Sequence, residues 1–291
     1  MSWGAGAGTG GPLCQGGSGA GGHATPYCCR YAHRRGCDSM HATPPDCRSM
    51  DASTQAAGPA ESAVSLLLLP GLDGTDVFFE PLLQQLPPWI RARTVQFPDA
   101  GPYDYASLLE LVRQALADTP ACYVLASSFS GPLAVMLAAS EPEKVRGLIL
   151  GATFLRAPRR LPAALRLVAR APAVAALRWL RRLPVWVLRT PDDPLRQAKR
   201  RTWAQVSARA LAGRARAVLG ADVRDLLSRC PQPLLCVAYA EDRVVARRYA
   251  QEIMAGGASA RLVTLPGGHL GMFADPAALA AEILRFVEAA A

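Results

Sequence analysis

The stretch that decides the fold of this chain reads Tyr123-Val124-Leu125-Ala126-Ser127-Ser128-Phe129-Ser130-Gly131. Its first half is a continuous apolar run, which is typical of a buried strand, and an apolar helical pattern begins directly after it. Only small residues stand at the turn between the two. Such a strained strand-to-helix turn exposes one serine above the edge of a sheet, provided that the residues two positions away on either side are small.

Three serines compete for this exposed position. Ser127 stands two residues after Leu125, whose side chain is too large for the turn. Ser130 is followed two residues later by a proline inside the first turn of the helix. Ser128 has a small residue on both sides, an alanine and a serine. The pattern therefore predicts Ser128 as the nucleophile.

Strands and helices alternate on both sides of this turn, from residue 62 to the C-terminus. The strands are apolar throughout, which is typical of a parallel sheet covered on both faces, and the fold class is therefore α/β. The predicted strands are Ala63–Leu69, Arg91–Phe97, Ala121–Ala126, Val145–Gly151, Pro233–Tyr239 and Ala260–Leu265. The predicted helices between and after them are Phe78–Leu86, Tyr105–Ala117, Gly131–Ala139, Val245–Met254 and Pro276–Ala289.

Composition narrows the class of protein. The chain has 291 residues, of which 51% are hydrophobic and 19% charged, enough for a buried core. No apolar run reaches the roughly 18 to 20 residues that span a bilayer. The net charge of +9 is typical of nucleic-acid-binding proteins, but no recognition motif accompanies it, so no nucleic-acid partner is expected. Of the 32 basic residues only Lys144 and Lys199 are lysines, a bias that a GC-rich genome would also produce.

Residues 1–61 differ from the rest of the chain. They are rich in Gly, Ala, Ser, Thr and Pro and follow no helical or strand period, which predicts a disordered, low-complexity tail. No apolar stretch typical of a secretory signal is found there, and Met50 would make a start site just ahead of the folded part. The expected location is cytoplasmic.

Cysteine usage does not point to an oxidising compartment or a metal. The tail holds Cys14, Cys28, Cys29, Cys37 and Cys47 together with His23, His33 and His41, in spacings that match no common zinc template. The remaining cysteines, Cys122, Cys230 and Cys236, flank apolar runs and are predicted to be buried thiols. No metal and no cofactor is expected.

A nucleophilic serine needs a base, and His269 is the only histidine after the tail. It follows the sixth predicted strand, at the edge where a parallel sheet presents its site. The acid that would orient it is Asp242, on the turn after the fifth strand. Its neighbour Glu241 is the rival, but Asp242 stands directly before the segment that opens the next helix. The chain order Ser128, Asp242, His269 is that of an α/β-hydrolase triad.

The reaction would also need two backbone N–H groups facing the developing negative charge. One is expected from Phe129, the residue after the nucleophile. The other is expected from Leu72, in the glycine-rich loop Pro70-Gly71-Leu72-Asp73-Gly74-Thr75 after the first strand. Glycine-rich loops of this kind are common, so this loop supports an oxyanion hole only in combination with Ser128, Asp242 and His269.

From residue 62 onward the sequence resembles the α/β-hydrolase superfamily. The similarity is to small bacterial members with Gly-Leu-Asp-Gly-Thr in the first loop and Ser-Phe-Ser-Gly-Pro at the serine turn. The resemblance implies an α/β-hydrolase fold with a mostly parallel six-stranded sheet, and a triad of Ser128, Asp242 and His269. Two departures from the pattern leave the catalytic atoms intact. Ala126 and Ser130 replace the usual glycines around the serine, and Pro70-Gly71 stands where many members have His-Gly.

About 75 residues, from Arg156 to Cys230, separate the fourth and fifth predicted strands, too many for an ordinary loop. The resemblance implies a helical cap over the active site. This insertion carries 17 arginines and one lysine against four aspartates, a net charge of +14 that leaves −5 for the rest. Three interpretations stay open: arginine-rich composition, recruitment of an anionic carrier, and binding to an acidic membrane surface.

Two classes of function follow from these observations. The first is a serine hydrolase that cleaves a small or acyl ester or thioester through an acyl-enzyme. The second is a binding protein on the same fold that carries a vestigial triad. An intact Ser, Asp and His favours the enzyme.

Overall fold

The computed structural model describes residues 63–158, 193–257 and 259–290, and positions 172 and 175. Six strands form one sheet in the order β2-β1-β3-β4-β5-β6, and every neighbouring pair is parallel. The strands are β1 (Val64–Leu69), β2 (Ile90–Thr94), β3 (Cys122–Ser127), β4 (Val145–Gly151), β5 (Leu234–Tyr239) and β6 (Ala260–Leu265). The fold is the α/β-hydrolase fold that the sequence predicts.

Helices connect these parallel strands. They are α1 (Glu80–Leu83), α2 (Tyr105–Leu116), α3 (Gly131–Ser140), α4 (Pro194–Gln205), α5 (Ala208–Leu219), α6 (Arg224–Leu227), α7 (Arg248–Gly256), α8 (Gly271–Ala274) and α9 (Pro276–Ala289). A 3-10 turn, Ser128–Ser130, precedes α3. Side-chain caps fix several helix starts: Asp104 accepts from Ser107 N–H before α2, and Ser207 accepts from Ala210 N–H before α5.

The four central strands β1, β3, β4 and β5 are buried on both faces of the sheet, which explains their nearly continuous apolar sequences. The edge strands β2 and β6 are partly exposed and carry polar residues at alternate or scattered positions. Alternate residues of β1 and β3 belong to different sides of the core: Leu67 and Val124 to one, Leu68 and Leu125 to the other. Helices α2, α3 and α7 cover the first face, and α1, α8 and α9 cover the second.

Three of the predicted elements differ from the structure by more than one residue at an end. Strand β2 ends at Thr94, because beyond it Phe97 N–H donates to the carbonyl of Gly74 in a loop (2.9 Å). The first helix is only Glu80–Leu83, since Pro87 and Pro88 follow it and cannot continue a helix.

The helix expected from residue 245 begins instead at Arg248. Val244 N–H and Val245 N–H both donate to the Asp242 carboxylate (2.7 and 2.9 Å), and this holds the preceding residues in a turn.

Two sequence predictions fall largely on residues outside the described part. These are the low-complexity tail, with its cysteines and histidines, and the first half of the insertion, residues 159–192. The second half of the insertion is described and contains α4, α5 and α6. A cap over the whole segment from residue 156 to 230 stays a prediction.

The three other cysteines are buried, as predicted. Burial raises the pKa of the Cys230 thiol to about 11 and that of Cys236 to about 12, so both stay protonated at neutral pH. Within the described ranges, no helix is long and apolar enough to cross a membrane, and no three metal-binding side chains cluster.

The insertion packs tightly on the core through Gly213 of α5. A Cβ at Gly213 would lie 2.1 Å from ring atom Cδ2 of Tyr103. We expect Gly213→Ala to lower the free energy of unfolding by about 1–3 kcal/mol, because the ring must shift out of a close-packed site. Gly220→Ala is the control, since its nearest new contact is an ordinary 3.9 Å. Urea denaturation monitored by circular dichroism measures both, and equal stability of the two variants would contradict this packing.

Candidate active site

Ser128 sits at the strained turn predicted from the sequence. It has a φ of +49°, a conformation that residues other than glycine seldom adopt. Strand β3 ends directly before it at Ser127, and α3 begins three residues later at Gly131. A Cβ at Gly131 would lie 2.0 Å from Thr153 Oγ1, so this close approach of α3 to the end of β4 requires glycine.

Three side chains predicted from the sequence meet at this turn. Ser128 Oγ lies 2.9 Å from His269 Nε2, and His269 Nδ1 lies 2.8 Å from Asp242 Oδ2. Because Asp242 accepts from Nδ1–H, the tautomer that fits this network leaves Nε2 free to accept from the Ser128 hydroxyl. Asp242 therefore orients the imidazole through Nδ1, and Nε2 can accept a proton from Ser128.

The carboxylate of Asp242 is nearly enclosed, with 4% of its side chain exposed. Burial alone would raise its pKa, but the hydrogen bond from His269 and those from Val244 N–H and Val245 N–H outweigh that effect. The pKa of Asp242 is therefore below its ordinary value, and the group is ionised at neutral pH. Glu241, the rival acid, does not contact His269 among the described hydrogen bonds and ion pairs.

Pairing between β5 and β6 brings Asp242 and His269 together. Tyr239 is in register with Leu265, so the loops that follow these strands leave the sheet side by side. Glu241 N–H donates to the carbonyl of Gly267 (2.9 Å), which joins the two loops. Gly267 has a φ of +99°, a conformation that favours glycine.

His269 reaches Ser128 across the end of β4, which lies between β3 and β5 in the sheet. The residues there, Gly151 and Ala152, are small. Met272, three residues after His269, lies against Gly151: a Cβ at that glycine would be 3.9 Å from the Met272 methyl carbon. The small residues at this strand end leave room for the histidine loop.

Hydrogen bonds to other segments of the chain hold the serine turn in place. Thr153 Oγ1 donates to the carbonyl of Ser128, and Ser130 Oγ donates to the carbonyl of Pro70. Tyr105 OH donates to the carbonyl of Phe129 (2.8 Å), and its ring stacks on the Phe129 ring with centroids 4.9 Å apart. Three segments thus hold the turn: the residues after β4, the loop after β1, and α2.

The glycine-rich loop after β1 lies next to the serine turn, because Leu69 of β1 is in register with Ala126 of β3. A tight turn shapes it: Gly74 N–H donates to the carbonyl of Gly71 (3.0 Å), and Gly74 has a φ of +74°. Asp73 accepts from the backbone N–H of Thr75 (2.9 Å) and from its hydroxyl (2.6 Å). Burial raises the pKa of Asp73 despite these bonds.

A cavity of about 410 Å³ opens above Ser128 and His269. Its wall is mostly apolar and aromatic, and both the core and the insertion contribute to it. The core supplies Leu72, Phe78, Phe79, Phe129, Phe154, Val244, Val245, Leu270 and Met272 to this wall. The insertion supplies Pro158, Lys199, Thr202, Trp203, Val206, Leu211 and Val218.

Sequence reasoning missed the residues that support the site. Thr153 and Tyr105 gave no recognisable signal, because each acts on a backbone carbonyl that is distant in sequence. Arg214 did give one: it lies on the face of α5 that carries Leu211 and Val218, so its charge stands in an apolar row. In the structure it is buried against the first loop.

Residues 66–282 match the family model of the alpha/beta hydrolase family, in agreement with the fold described above. The match covers most of the chain, so the protein belongs to the alpha/beta hydrolase family. No curated protein sequence matches the chain.

Solved structures with the same fold come from several bacteria. A hydrolase from Pseudomonas aeruginosa PA01 is 25% identical, with a TM-score of 0.62 over 79% of this chain and 92% of that one. The enol-lactonase from Burkholderia xenovorans LB400 is 19% identical, with a TM-score of 0.66 over 78% and 92%. An esterase from Exiguobacterium antarcticum is 18% identical, with a TM-score of 0.64 over 78% and 92%.

The lowered pKa of Asp242 predicts how stability depends on pH. An acid whose pKa is depressed by folding stabilises the folded state above its unfolded pKa, about 3.9, and this contribution is lost as the pH falls through the folded value. We expect Asp242→Asn to be less stable than wild type at pH 7 and the difference to narrow as the pH falls below 4. Thermal unfolding between pH 7 and pH 3 measures this, with Glu241→Gln as the control. A difference that stays constant down to pH 3 would contradict it.

Proposed function

We propose that this protein is a serine hydrolase that cleaves carboxylic esters of apolar acyl groups through an acyl-enzyme. The observation that carries the proposal is the continuous chain of contacts from Ser128 Oγ to His269 Nε2 (2.9 Å) and from His269 Nδ1 to Asp242 Oδ2 (2.8 Å). Each of the three residues follows the carboxyl end of a different parallel strand, at one edge of the sheet.

In the proposed mechanism, Ser128 Oγ attacks the ester carbonyl carbon while its proton passes to His269 Nε2. The imidazolium that forms is stabilised by the ionised Asp242. When the tetrahedral intermediate collapses, His269 returns the proton to the departing alcohol and leaves an ester on Ser128. Water then attacks that ester with His269 again as the base, which releases the acid and restores the serine.

The first donor in the proposed oxyanion hole is Phe129 N–H. Thr153 Oγ1 donates to the carbonyl of Ser128, which belongs to the same peptide group as Phe129 N–H. In a trans peptide the C=O and N–H bonds point in opposite directions, so this contact turns the Phe129 N–H away from Thr153. The arrangement suits a preorganised donor, since its orientation is fixed before substrate arrives.

The second proposed donor, Leu72 N–H, is oriented by the same rule. The carbonyl of its peptide group belongs to Gly71 and accepts from Gly74 N–H inside the turn. The Leu72 N–H therefore points out of the turn. Within the described part of the chain it donates to no backbone carbonyl, and Leu72 lines the cavity above Ser128.

The cavity supports an apolar acyl group as the part of the substrate that is bound. At about 410 Å³ it lies within the range of small-molecule sites, and its wall offers few polar groups. We propose that the described helices α4 and α5 act as part of a cap, because Trp203, Val206 and Leu211 close one side of this cavity. A thioester would fit the same chemistry, since attack at the carbonyl carbon is unchanged.

Replacing the proposed nucleophile tests the function directly. We expect Ser128→Ala to lower kcat for a p-nitrophenyl ester by a factor on the order of 10⁴ to 10⁶, because the acyl-enzyme can no longer form. Ser127→Ala is the matched control, with an adjacent serine removed and most of the activity retained. Hydrolysis is followed by release of p-nitrophenolate.

A fluorophosphonate probe separates an enzyme from a binding protein on the same fold. It labels only a serine activated as a nucleophile, so wild type should be labelled and Ser128→Ala should not. Absence of labelling in folded wild-type protein would contradict the proposed hydrolase and favour the non-catalytic alternative. Full activity of Ser128→Ala would exclude Ser128 as the nucleophile.

A second proposal concerns an anionic group on the substrate, on its carrier or on a lipid surface. Arg196, Lys199 and Arg200 share one face of α4, and among the described ion pairs none of them has an acidic partner. Lys199 also lines the cavity. An anion attached to the ester and lying at the mouth of the cavity would meet this face.

The charge of Lys199 is expected to affect only anionic substrates. Lys199→Met should raise KM about twofold to fivefold for an ester that ends in a carboxylate, in line with an exposed ion pair of up to about 1 kcal/mol. KM for a neutral ester of equal length should not change, and added salt should remove the difference. Arg201→Met is the control, because Arg201 is already paired with Glu80. Equal effects on both substrates would contradict anion recognition.

A further inference from the structure

Arg214 is the most deeply buried charged side chain in the described part of the chain, with 1% of its surface exposed. It extends from α5 in the insertion and ends beneath the glycine-rich loop after β1. Its Nη1 donates to the carbonyls of Leu72 (3.1 Å) and Asp73 (2.6 Å). Its Nη2 donates to the carbonyls of Phe97 (3.3 Å) and Pro98 (2.8 Å).

No carboxylate balances this guanidinium at ion-pair distance among the described residues, and no acceptor is present for its Nε–H. Burial lowers the pKa of Arg214, and the charges of Asp73 and Asp99 only partly offset this effect. Removing a charge from water is costly, and an apolar side chain of similar size often stabilises a fold as well or better. Stability alone is therefore a poor reason for an arginine here.

The effect of Arg214 on the loop is specific. Gly74 N–H fixes the peptide group between Gly71 and Leu72, and Arg214 Nη1 fixes the next two peptide groups through their carbonyls. Three successive peptide planes are thus held, and the first of them carries Leu72 N–H. Without the guanidinium, the Gly74 bond and the Asp73 side chain are what remains to restrain these planes among the described hydrogen bonds.

The loop is in turn shaped around the guanidinium. A Cβ at Gly74 would lie 2.6 Å from Arg214 Nη1 and 2.7 Å from its Cζ, so glycine is needed for space as well as for its φ of +74°. Arg214 itself is not among the residues that line the cavity above Ser128. It lines a separate pocket on the other side of the loop, together with Asp73 and Gly74.

We propose that Arg214 is a positioning residue that orients Leu72 N–H toward the oxyanion from the far side of the loop. The proposal rests on the serine hydrolase function proposed above. It makes the insertion a contributor to transition-state stabilisation, as well as a wall of the cavity. Arg214 does not touch the substrate in this role and acts only through the loop.

A pair of substrates that differ in one atom tests the proposal. An oxyanion hole stabilises developing charge on oxygen through short N–H bonds, and sulfur accepts such bonds more weakly. The ratio of kcat/KM for a p-nitrophenyl ester to that of the matching thionoester therefore reports how well the donors are aimed. Active sites are counted with a fluorophosphonate probe, so that the rates refer to folded, competent enzyme.

For Arg214→Met we expect kcat for the ester to fall about tenfold to a hundredfold, somewhat less than loss of a whole oxyanion donor. KM should stay within about twofold, and the ester-to-thionoester ratio should fall with kcat. Arg214→Lys should lie between, since its ammonium donates from a single point and cannot span both pairs of carbonyls. Arg209→Met, which changes an exposed arginine on the same helix, should match wild type.

Different results overturn different claims. If wild-type hydrolysis does not depend on Ser128, the proposed function fails, and the role of Arg214 fails with it. If hydrolysis depends on Ser128 but both variants keep the wild-type ratio per active site, only the role of Arg214 is overturned, whatever their thermal stability. Should Arg214→Met fail to fold, Arg214→Lys decides the question alone, and an unchanged ratio in that variant is sufficient to reject the proposal.

Discussion

The pairing of β1 with β3 is the constraint on which the site depends. The chain passes from β1 to β2 on one side and then returns to place β3 on the other side of β1, so the loops after β1 and β3 leave the sheet as neighbours. Register between Leu69 and Ala126 sets these loops side by side, and Ser130 Oγ joins them through the carbonyl of Pro70. If this register shifted by one residue, the two proposed oxyanion donors, Leu72 N–H and Phe129 N–H, would move apart.

The backbone around Ser128 is positioned by hydrogen bonds to carbonyl oxygens, donated by residues that do not line the cavity. Thr153 holds the carbonyl of Ser128, Gly74 holds that of Gly71, and Tyr105 holds that of Phe129. Each of these contacts fixes the C=O of a peptide group, so the N–H of the same group points in the opposite direction. Donors that are oriented in this way need no reorganisation when negative charge develops, which is the condition for effective electrostatic stabilisation.

The sequence predicted the fold well because the signals for a parallel sheet are local. All six strands and the five predicted helices follow from apolar runs and turn residues. The structure departs from the prediction at element ends and in α8, a short helix that was not predicted. The end of β2 could not be predicted, since it depends on a bond from Phe97 N–H to a loop residue distant in sequence. The start of α7 depends on a side chain, Asp242, that accepts the amides before it.

The three side chains at the site were also predictable, because residue type and chain order restrict the choice to one histidine and a few serines and acids. The residues that hold the backbone around these side chains were not predictable. Thr153 and Tyr105 contact backbone carbonyls whose direction is unknown until the strands are placed. Arg214 was also missed: once α5 is known it is a charge in an apolar helical row, but the sequence does not say which carbonyls it meets.

The charge of the insertion has more than one origin. Part of it faces the more acidic core: Arg156 pairs with Glu252 of α7, and Arg201 pairs with Glu80 of α1. The division of charge between insertion and core is therefore partly complementarity between two surfaces that pack together. The Arg156–Glu252 pair is mostly buried, whereas the Arg201–Glu80 pair is about half-exposed and adds little to stability by itself. Together the two pairs favour one position of the insertion on the core over others.

Buried Arg214 acts differently from these surface pairs, because its four acceptors are peptide carbonyls and not side chains. Carbonyl acceptors specify the direction of a loop more strictly than a flexible carboxylate does, since their positions follow from the backbone itself. Besides its close packing at Gly213, the insertion thus makes two kinds of polar contact with the core: ion pairs such as Arg201–Glu80, and the buried Arg214 guanidinium that holds the loop after β1. The three cations of α4 without acidic partners among the described ion pairs lie outside both roles, and of these Lys199 is the one at the cavity wall.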